Sequence, residues 1–368
     1  MAGLFERTQQ SLIKRKQNIE QGNVNSIPSP FHRFRNDFVG LEQGRYDIIT
    51  SFTKGSKTQF TLFLLFEALM YILDYPDVAD MKVFYFALEE TDERILQRFE
   101  SYLLFKLDKI RISPKNLRST YNDNPVSQEI LDLLASERYQ VYIRAFEEHF
   151  VFHSVANPTG IKILCETYAK ENGTTYCKKI RIRNEFGEVE EREGVFDHYV
   201  PNNQHEFRLI VVDHAGLLKP EKGASMKEAI DQLSKYFVEL RNRYGFSPIL
   251  IQQQSTTNES NDSFKLRNIR PSGRGLSDSS YTQRDSQLLL GLFSPFRFGL
   301  EEYMGYDIKR FRDHIRFLEV CNNRDGEVGG IIALFFDGAC NMFWELPLPT
   351  DPDMEKWYRY LEKIKEEN

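Results

Sequence analysis

The chain has 368 residues, 41% of them hydrophobic and 28% charged, with a net charge of −6. That is enough for one large α/β domain or two smaller ones of ordinary globular composition. The acidic balance excludes a surface that is positive all over, while leaving room for a local basic channel. No stretch has the uninterrupted apolar length of a membrane span: Phe60 to Leu73 is too short and carries Glu67. Met1 to Arg7 holds no apolar signal core, so a cytoplasmic protein is expected. The cysteines, Cys165, Cys177, Cys321 and Cys340, form no C-x-x-C pair, and His198 and His205 complete no zinc spacing. Reduced thiols packed as small apolar groups are expected.

Leu4 to Glu20 reads as a basic amphipathic helix, with Leu4, Leu12, Ile13 and Ile19 as its apolar positions. Gly22 to Pro30 breaks it, and a lone helix on a Pro-rich link can dock on its own domain or on a neighbouring subunit, of which the neighbour is the favoured expectation. The stretch Arg45 to Ser51 reads as a strand and Phe60 to Leu73 as a helix. Between them lie Phe52, Thr53, Lys54, Gly55, Ser56, Lys57 and Thr58. A strand, a small-residue turn, Lys-Thr and a helix hold a nucleoside triphosphate well. Backbone N–H groups wrap the phosphates, the lysine reaches the outer ones and the hydroxyl takes Mg2+. The usual pattern is G-x-x-x-x-G-K-[ST], and here Ser51 and Ser56 stand at its two glycine positions. Taken alone, the segment also suits a plain strand–turn–helix in a core. Serine supplies the same N–H but resists positive φ and close backbone approach.

Met81 to Ala87 reads as a buried strand that ends at Glu89 and Glu90. Glu89 is a candidate general base for the attacking water, and Glu90 is expected to face solvent. Helices are expected over Asp92 to Leu107, Gln128 to Phe146 and Gly160 to Lys170, with a short strand at Val151 to Val155. The polar, charge-rich segment from Glu171 to Gln204 reads as a hairpin-like excursion. Phe207 to Val212 is an apolar strand closed by Asp213, which suits either a Mg2+ carboxylate or an N-cap. After the helix Lys227 to Arg243, the strand Pro248 to Ile251 ends in Gln252-Gln253-Gln254, where an amide can sense the γ-phosphate. The loop Ser255 to Gly275 carries Lys265, Arg267, Arg270 and Arg274, a candidate contact for nucleic-acid phosphates. Strands are expected at Gln287 to Phe293, Arg316 to Val320, Gly330 to Phe336 and Cys340 to Leu346, and a polar helix from Asp353. Arg324, at the turn Asn323 to Gly326, is a candidate arginine finger for an adjacent subunit.

The order of these segments resembles the RecA-like motor domain of DnaB-type hexameric replicative helicases, in the short form found in phages, from about Ser26 to Glu345. Phe86-Ala87-Leu88-Glu89-Glu90 is similar to the segment with the catalytic glutamate, and Ile210-Val211-Val212-Asp213-His214 to the Walker B strand. Ile251-Gln252-Gln253 resembles the strand ending in the sensor glutamine, which falls on Gln253. Asn323-Arg324-Asp325-Gly326 resembles the turn with the trans-acting arginine. The resemblance implies an α/β fold: a RecA-like P-loop ATPase core whose mostly parallel sheet is flanked by helices, with an N-terminal linker helix and a C-terminal β-hairpin extension. It divides the chain into residues 1–30 (linker helix and Pro-rich link), 31–350 (ATPase domain, with an insertion at about 171–204) and 351–368 (C-terminal helix).

The same resemblance implies an ATP-dependent DNA helicase that travels 5′→3′ on single-stranded DNA as a homohexameric ring, with a primase or loader as possible partners. ATP and Mg2+ are the expected cofactors, held by Ser51, Thr53, Lys54, Gly55, Ser56, Lys57, Thr58 and Asp213, with the metal on Thr58 and Asp213. Glu89, Gln253 and Arg324 take the catalytic roles. Departures are the loop serines, Asn322 where the family often has lysine, the insertion, and the lack of a counterpart to the family's N-terminal helical domain. Two rival readings remain: a RecA-like DNA-dependent ATPase that does not unwind, and a nucleotide-binding scaffold or loader partner that has lost turnover.

Overall fold

The computed structural model describes residues 4–121, 123–183, 189–255, 269–279 and 281–366. A helix, α1 (Leu4–Glu20), leads into a short antiparallel pair, β1 (Ser26–Pro28) with β2 (Gly40–Glu42). Phe31, Phe34 and Phe38 between them are buried, so the link after α1 packs into the core rather than hanging free. Next come β3 (Asp47–Ser51), α2 (Lys57–Asp74), β4 (Asp80–Ala87) and α3 (Asp92–Asp108). They are followed by α4 (Pro114–Leu117), α5 (Gln128–Ala135), α6 (Glu137–His149), β5 (Phe150–His153) and α7 (Pro158–Glu171). The stretch Gln128 to Phe146, expected to be mostly helical, holds two helices, with Ser136 extended between them (φ −65°, ψ 148°).

The charge-rich insertion is a hairpin, β6 (Gly173–Arg183) with β7 (Val189–Pro201), rooted on Tyr244 through Phe196 and Tyr199. The core resumes with β8 (Glu206–Asp213), α8 (Met226–Tyr244), β9 (Ser247–Gln253) and β10 (Leu288–Phe293). A small pair, β11 (Glu302–Tyr303) and β12 (Tyr306–Asp307), precedes β13 (Ile315–Asn323), β14 (Ile331–Asp337), β15 (Met342–Glu345) and a last helix, Met354–Glu366.

Nine strands form the central sheet, in the order β15-β14-β13-β10-β3-β9-β8-β4-β5. The six from β10 to β5 are parallel. Strands β13 to β15 join antiparallel and extend the main sheet, as the expected C-terminal hairpin extension. Helices cover both faces of the parallel part, and its strands are therefore apolar on both sides. Ile49, Val83, Tyr85, Leu209 and Val211 face one cluster, with α2, α3 and α6. Their neighbours Ile48, Phe84, Phe86, Ile210 and Val212 face the other, with α7 and α8. Helix α2 is apolar nearly all round, as a helix enclosed by its own domain must be. Helix α8 is amphipathic, opened by a Ser225/Glu228 capping box and closed by Gly245 in the left-handed region. Four parallel strands end level with one another: Ser51 pairs with Gln253, and Ala87 with Asp213. That edge gathers Lys57, Thr58, Glu89, Asp213 and Gln253.

Candidate nucleotide site

The loop from Ser51 to Thr58 bends tightly. Gly55 donates its N–H to the carbonyl of Phe52 at 2.9 Å, and a Cβ on Gly55 would lie 2.6 Å from the Cβ of Ser51. This close approach explains why the single loop glycine stands there. Lys54 and Ser56 both hold positive φ, at 58° and 71°. Ser56 therefore adopts the conformation a glycine would take freely, at a cost of about 1 kcal/mol for a residue with a Cβ. Its hydroxyl is held in return. The guanidinium of Arg316, at the start of β13, donates to the Ser56 Oγ from Nε (3.3 Å) and Nη2 (3.1 Å).

Arg316 is wholly buried and lies over the Phe336 ring at 4.7 Å. It also donates to the carbonyls of Asp313 and Ile315 and pairs with the Asp313 carboxylate at 3.1 Å. Burial lowers its pKa to about 10, against the pull of Asp313.

At the head of α2, Thr58 donates its hydroxyl to Asp213 Oδ1 at 3.0 Å, and Tyr85 donates to Oδ2 at 2.8 Å. Asp213 is 3% exposed. Burial raises its pKa to about 6, helped by the nearby Glu89 charge and opposed by the two hydroxyl donors and Lys57. The peptide after it is cis. His214 accepts the Gly216 N–H on Nδ1 and brings Nε2 to 3.9 Å from Glu89. Burial, with Lys57 nearby, keeps its ring neutral to lower pH than usual. Thus His214 lines the site and does not merely pack beside it.

The triple glutamine resolves by strand alternation. Gln252 is buried, donating to the carbonyls of Ser277 and Ser279, and Gln254 is buried against Thr50 and Ser272. Gln253 alone turns to the phosphate loop, donating to Thr53 Oγ1 at 2.5 Å. Lys57, Thr58, Glu89, Gln253 and Arg316 line one cavity of about 490 Å3. That volume lies within the usual range for small-molecule sites. The Thr58 hydroxyl and the Asp213 carboxylate it is bonded to are oxygen ligands of the kind a hard divalent cation takes.

Glu89 is half-exposed in this cavity. Glu90 departs from the expectation that it faces solvent. It is partly buried and bonded by both carboxylate oxygens to Arg98, at 2.8 and 2.5 Å. A run of two glutamates at a strand end gave no sign of a partner eight residues on. Sequence reading also missed Tyr85, Arg98, Arg297 and Arg316. The one available signal was Arg316 itself, a charge inside the otherwise apolar run Ile315 to Leu318.

Arg324 lies far from this cavity. Strand β13 runs antiparallel to β10, and β10 parallel to β3. The register Leu288–Asn323 and Leu288–Asp47 puts Arg324 at the opposite edge of the sheet from its own phosphate loop. It is exposed there, donating its N–H to the carbonyl of Gln287. Of the basic loop, Lys265 and Arg267 lie outside the described residues. Arg270 makes a forked pair with Glu319 (2.7 and 3.0 Å), which ties the end of the loop to β13, and Arg274 lies exposed in a short 3-10 turn.

No family model matches the sequence, and no curated protein matches it. Solved structures do. One is a DnaB-like replicative helicase described with its interactions with primase, at TM-score 0.61 and 15% identity, covering 92% of this chain. This chain spans 66% of that protein's length. Another is the ATPase domain of G40P, at TM-score 0.64 and 15% identity, covering 92% of this chain and 98% of that domain. The chain therefore has the RecA-like fold of the ATPase domain of DnaB-type helicases.

Proposed function

We propose that this chain is the ATP-driven motor of a DnaB-type replicative DNA helicase, working as a ring on single-stranded DNA in a cytoplasm (a host's, if phage-encoded). The observation that carries the reading is the convergence of Lys57, Thr58, Glu89 and Gln253 on one cavity at the ends of adjacent strands, with Asp213 bonded to Thr58 beside it. Lys57 holds the outer phosphates, with the loop N–H groups from Lys54 to Thr58 around them. Thr58 and Asp213 would hold Mg2+, whose charge offsets that of the phosphates when it is bound. Glu89 takes the proton of the attacking water, assisted by His214 beside it. Gln253, bonded to Thr53, links the phosphate loop to the loop that begins two residues later. That following loop, with Lys265, Arg267, Arg270 and Arg274, is assigned to the DNA backbone.

Two features support a ring. Arg324 is too far from its own site to serve it and is placed to serve a neighbour's. Helix α1 exposes Phe5, Leu12 and Ile19, one side of the helix at seven-residue spacing, along with Ile13. Its ties to its own domain are polar, chiefly Arg15 to Glu42. An apolar stripe left open in this way suits docking on the next subunit. A homohexamer, and a primase or loader partner, belong to the same reading. Its domain division is residues 1–30, 31–350 and 351–368.

The test is ATP hydrolysis with and without single-stranded DNA, beside Lys57→Ala. DNA-stimulated turnover that disappears in the variant is expected. Nucleotide binding without turnover would overturn the motor and leave a scaffold.

A further inference from the structure

The nucleotide cavity has a smaller neighbour. A hollow of about 180 Å3 lies between the head of α3 and α4, lined by Glu90, Arg94, Arg98, Lys115 and Arg118 among others. Two local spacings build it. Arg94 and Arg98 stand four apart on α3, hence on one face, and Lys115 and Arg118 stand three apart across the end of α4.

Four cations thus meet one carboxylate. Glu90 neutralises Arg98 through the two-fold pair already described. Arg94, Lys115 and Arg118 make no ion pair among the described residues, and Arg118 donates only to the neutral amide oxygen of Gln97. Glu90 also feels the charges of Arg94 and Arg118, but one carboxylate beside four cations, three of them exposed, leaves a net positive charge that favours an anion. The hollow also has a defined relation to the larger cavity. Glu90 and Arg98 line both, so their pair is the partition between them. Glu89, the proposed base, is the next residue along the chain. The hollow therefore borders the nucleotide cavity at the end where the outer phosphate would be cleaved.

We propose that this hollow is a second oxyanion site, which receives the inorganic phosphate released by hydrolysis and lets it leave past the Glu90–Arg98 pair while ADP is still bound. The proposal rests on the ATPase reading above. Arg94, Lys115 and Arg118 supply N–H donors to a tetrahedral anion, and Arg98 is shared between the two compartments.

The test uses the full chain saturated with ADP, to which inorganic phosphate is added and followed by phosphorus NMR. ADP affinity is measured on the same samples. Phosphate is expected to bind the ADP-loaded wild type. In the variant Arg94→Gln/Lys115→Gln/Arg118→Gln its affinity is expected to fall by roughly tenfold or more, with ADP affinity unchanged. Lys115→Gln alone, at an exposed position, should show a smaller loss in the same direction and serves if the triple variant does not fold. Equal phosphate affinity in wild type and variants overturns the proposal. So does a parallel loss of ADP affinity, which would make these residues part of the nucleotide site. Loss of single-stranded DNA affinity with phosphate binding intact would make the hollow a nucleic-acid backbone site instead. A wild type that binds ADP but not phosphate fails this proposal alone, and one that binds neither fails the ATPase reading with it.

Discussion

The two edges of the parallel sheet treat buried charge in opposite ways. At the edge where the strands begin, Arg45 and Asp47 form a forked pair at 2.7 and 2.8 Å, and Arg45 also donates to the carbonyl of Gly40. Within this pair both charges are matched, and the arrangement closes the fold. At the edge where the strands end, Asp213 has two hydroxyl donors but no cation bonded to it. Arg316 there leans on carbonyls, a serine and a half-exposed Asp313. A domain built only for stability would not leave charges in that condition, because an imperfectly matched buried charge costs several kcal/mol. The difference between the Arg45–Asp47 pair and the Asp213–Arg316 edge supports the proposed site at the second edge.

Four outcomes would sharpen or break this contrast. The largest concerns Arg324, which stands at the structural edge and is assigned to a neighbour's site. Arg324→Ala should lower ATP turnover of the assembled protein by roughly a thousandfold or more while leaving nucleotide affinity and thermal stability unchanged. Steady-state hydrolysis and a nucleotide titration read the two separately. Unchanged turnover would return Arg324 to the structural edge.

Next, Asp47→Ala strands the Arg45 charge in the interior and should cost about 3 kcal/mol or more in denaturant unfolding. The nucleotide affinity of the folded fraction should stay as it was. A loss of affinity in step with stability would mean that the two edges are not separate.

The third outcome is a pH dependence. The folded pKa of Asp213 is about 6, above its ordinary value near 4. Between those values the folded protein binds the extra proton, so stability without nucleotide should fall as pH rises from about 4 to about 6, by up to about 3 kcal/mol from this residue. Asp213→Asn should flatten that part of the profile, as read by unfolding at a series of pH values. An unchanged slope would mean that the site edge carries no such penalty.

The smallest concerns Ser56. Ser56→Ala keeps the positive φ and removes the acceptor for Arg316, whereas Ser56→Gly removes the acceptor but relieves the backbone. The glycine variant should therefore be the more stable of the two by about 1 kcal/mol. Equal stabilities would mean that the loop is not held under strain.

Much of this site was legible because its chemistry lies at strand ends, where local pattern betrays it. An apolar run that stops at Asp213 or at the glutamines announces a sheet edge, and Lys57-Thr58 before an apolar helix announces the turn that the proposed function assigns to phosphate. Alternation along β9 could have selected Gln253 from its neighbours, had the strand's facing been known. Arg316 could not be assigned in this way. It lies 260 residues from Ser56 and meets it only because β13 adds antiparallel to the far side of β10. The Glu90–Arg98 pair and the Tyr85 hydroxyl likewise depend on how α3 and β4 turn in space, which spacing alone does not give. The expected C-terminal β-hairpin extension is present, and its place in the main sheet has a physical reason. The strands β13 and β14 are apolar on both faces, and only a place in the main sheet buries both.

Strand β13 holds the loop at Ser56 at one end, through Arg316. It leads at the other end, about 25 Å away for a nine-residue strand, to Arg324. Both arginines are thus fixed to a single stiff rod. In a closed ring each rod would have its root in one active site and its tip in the next, always in the same rotational sense. Firing around such a ring would acquire an order from the geometry of one strand, with no separate timing element.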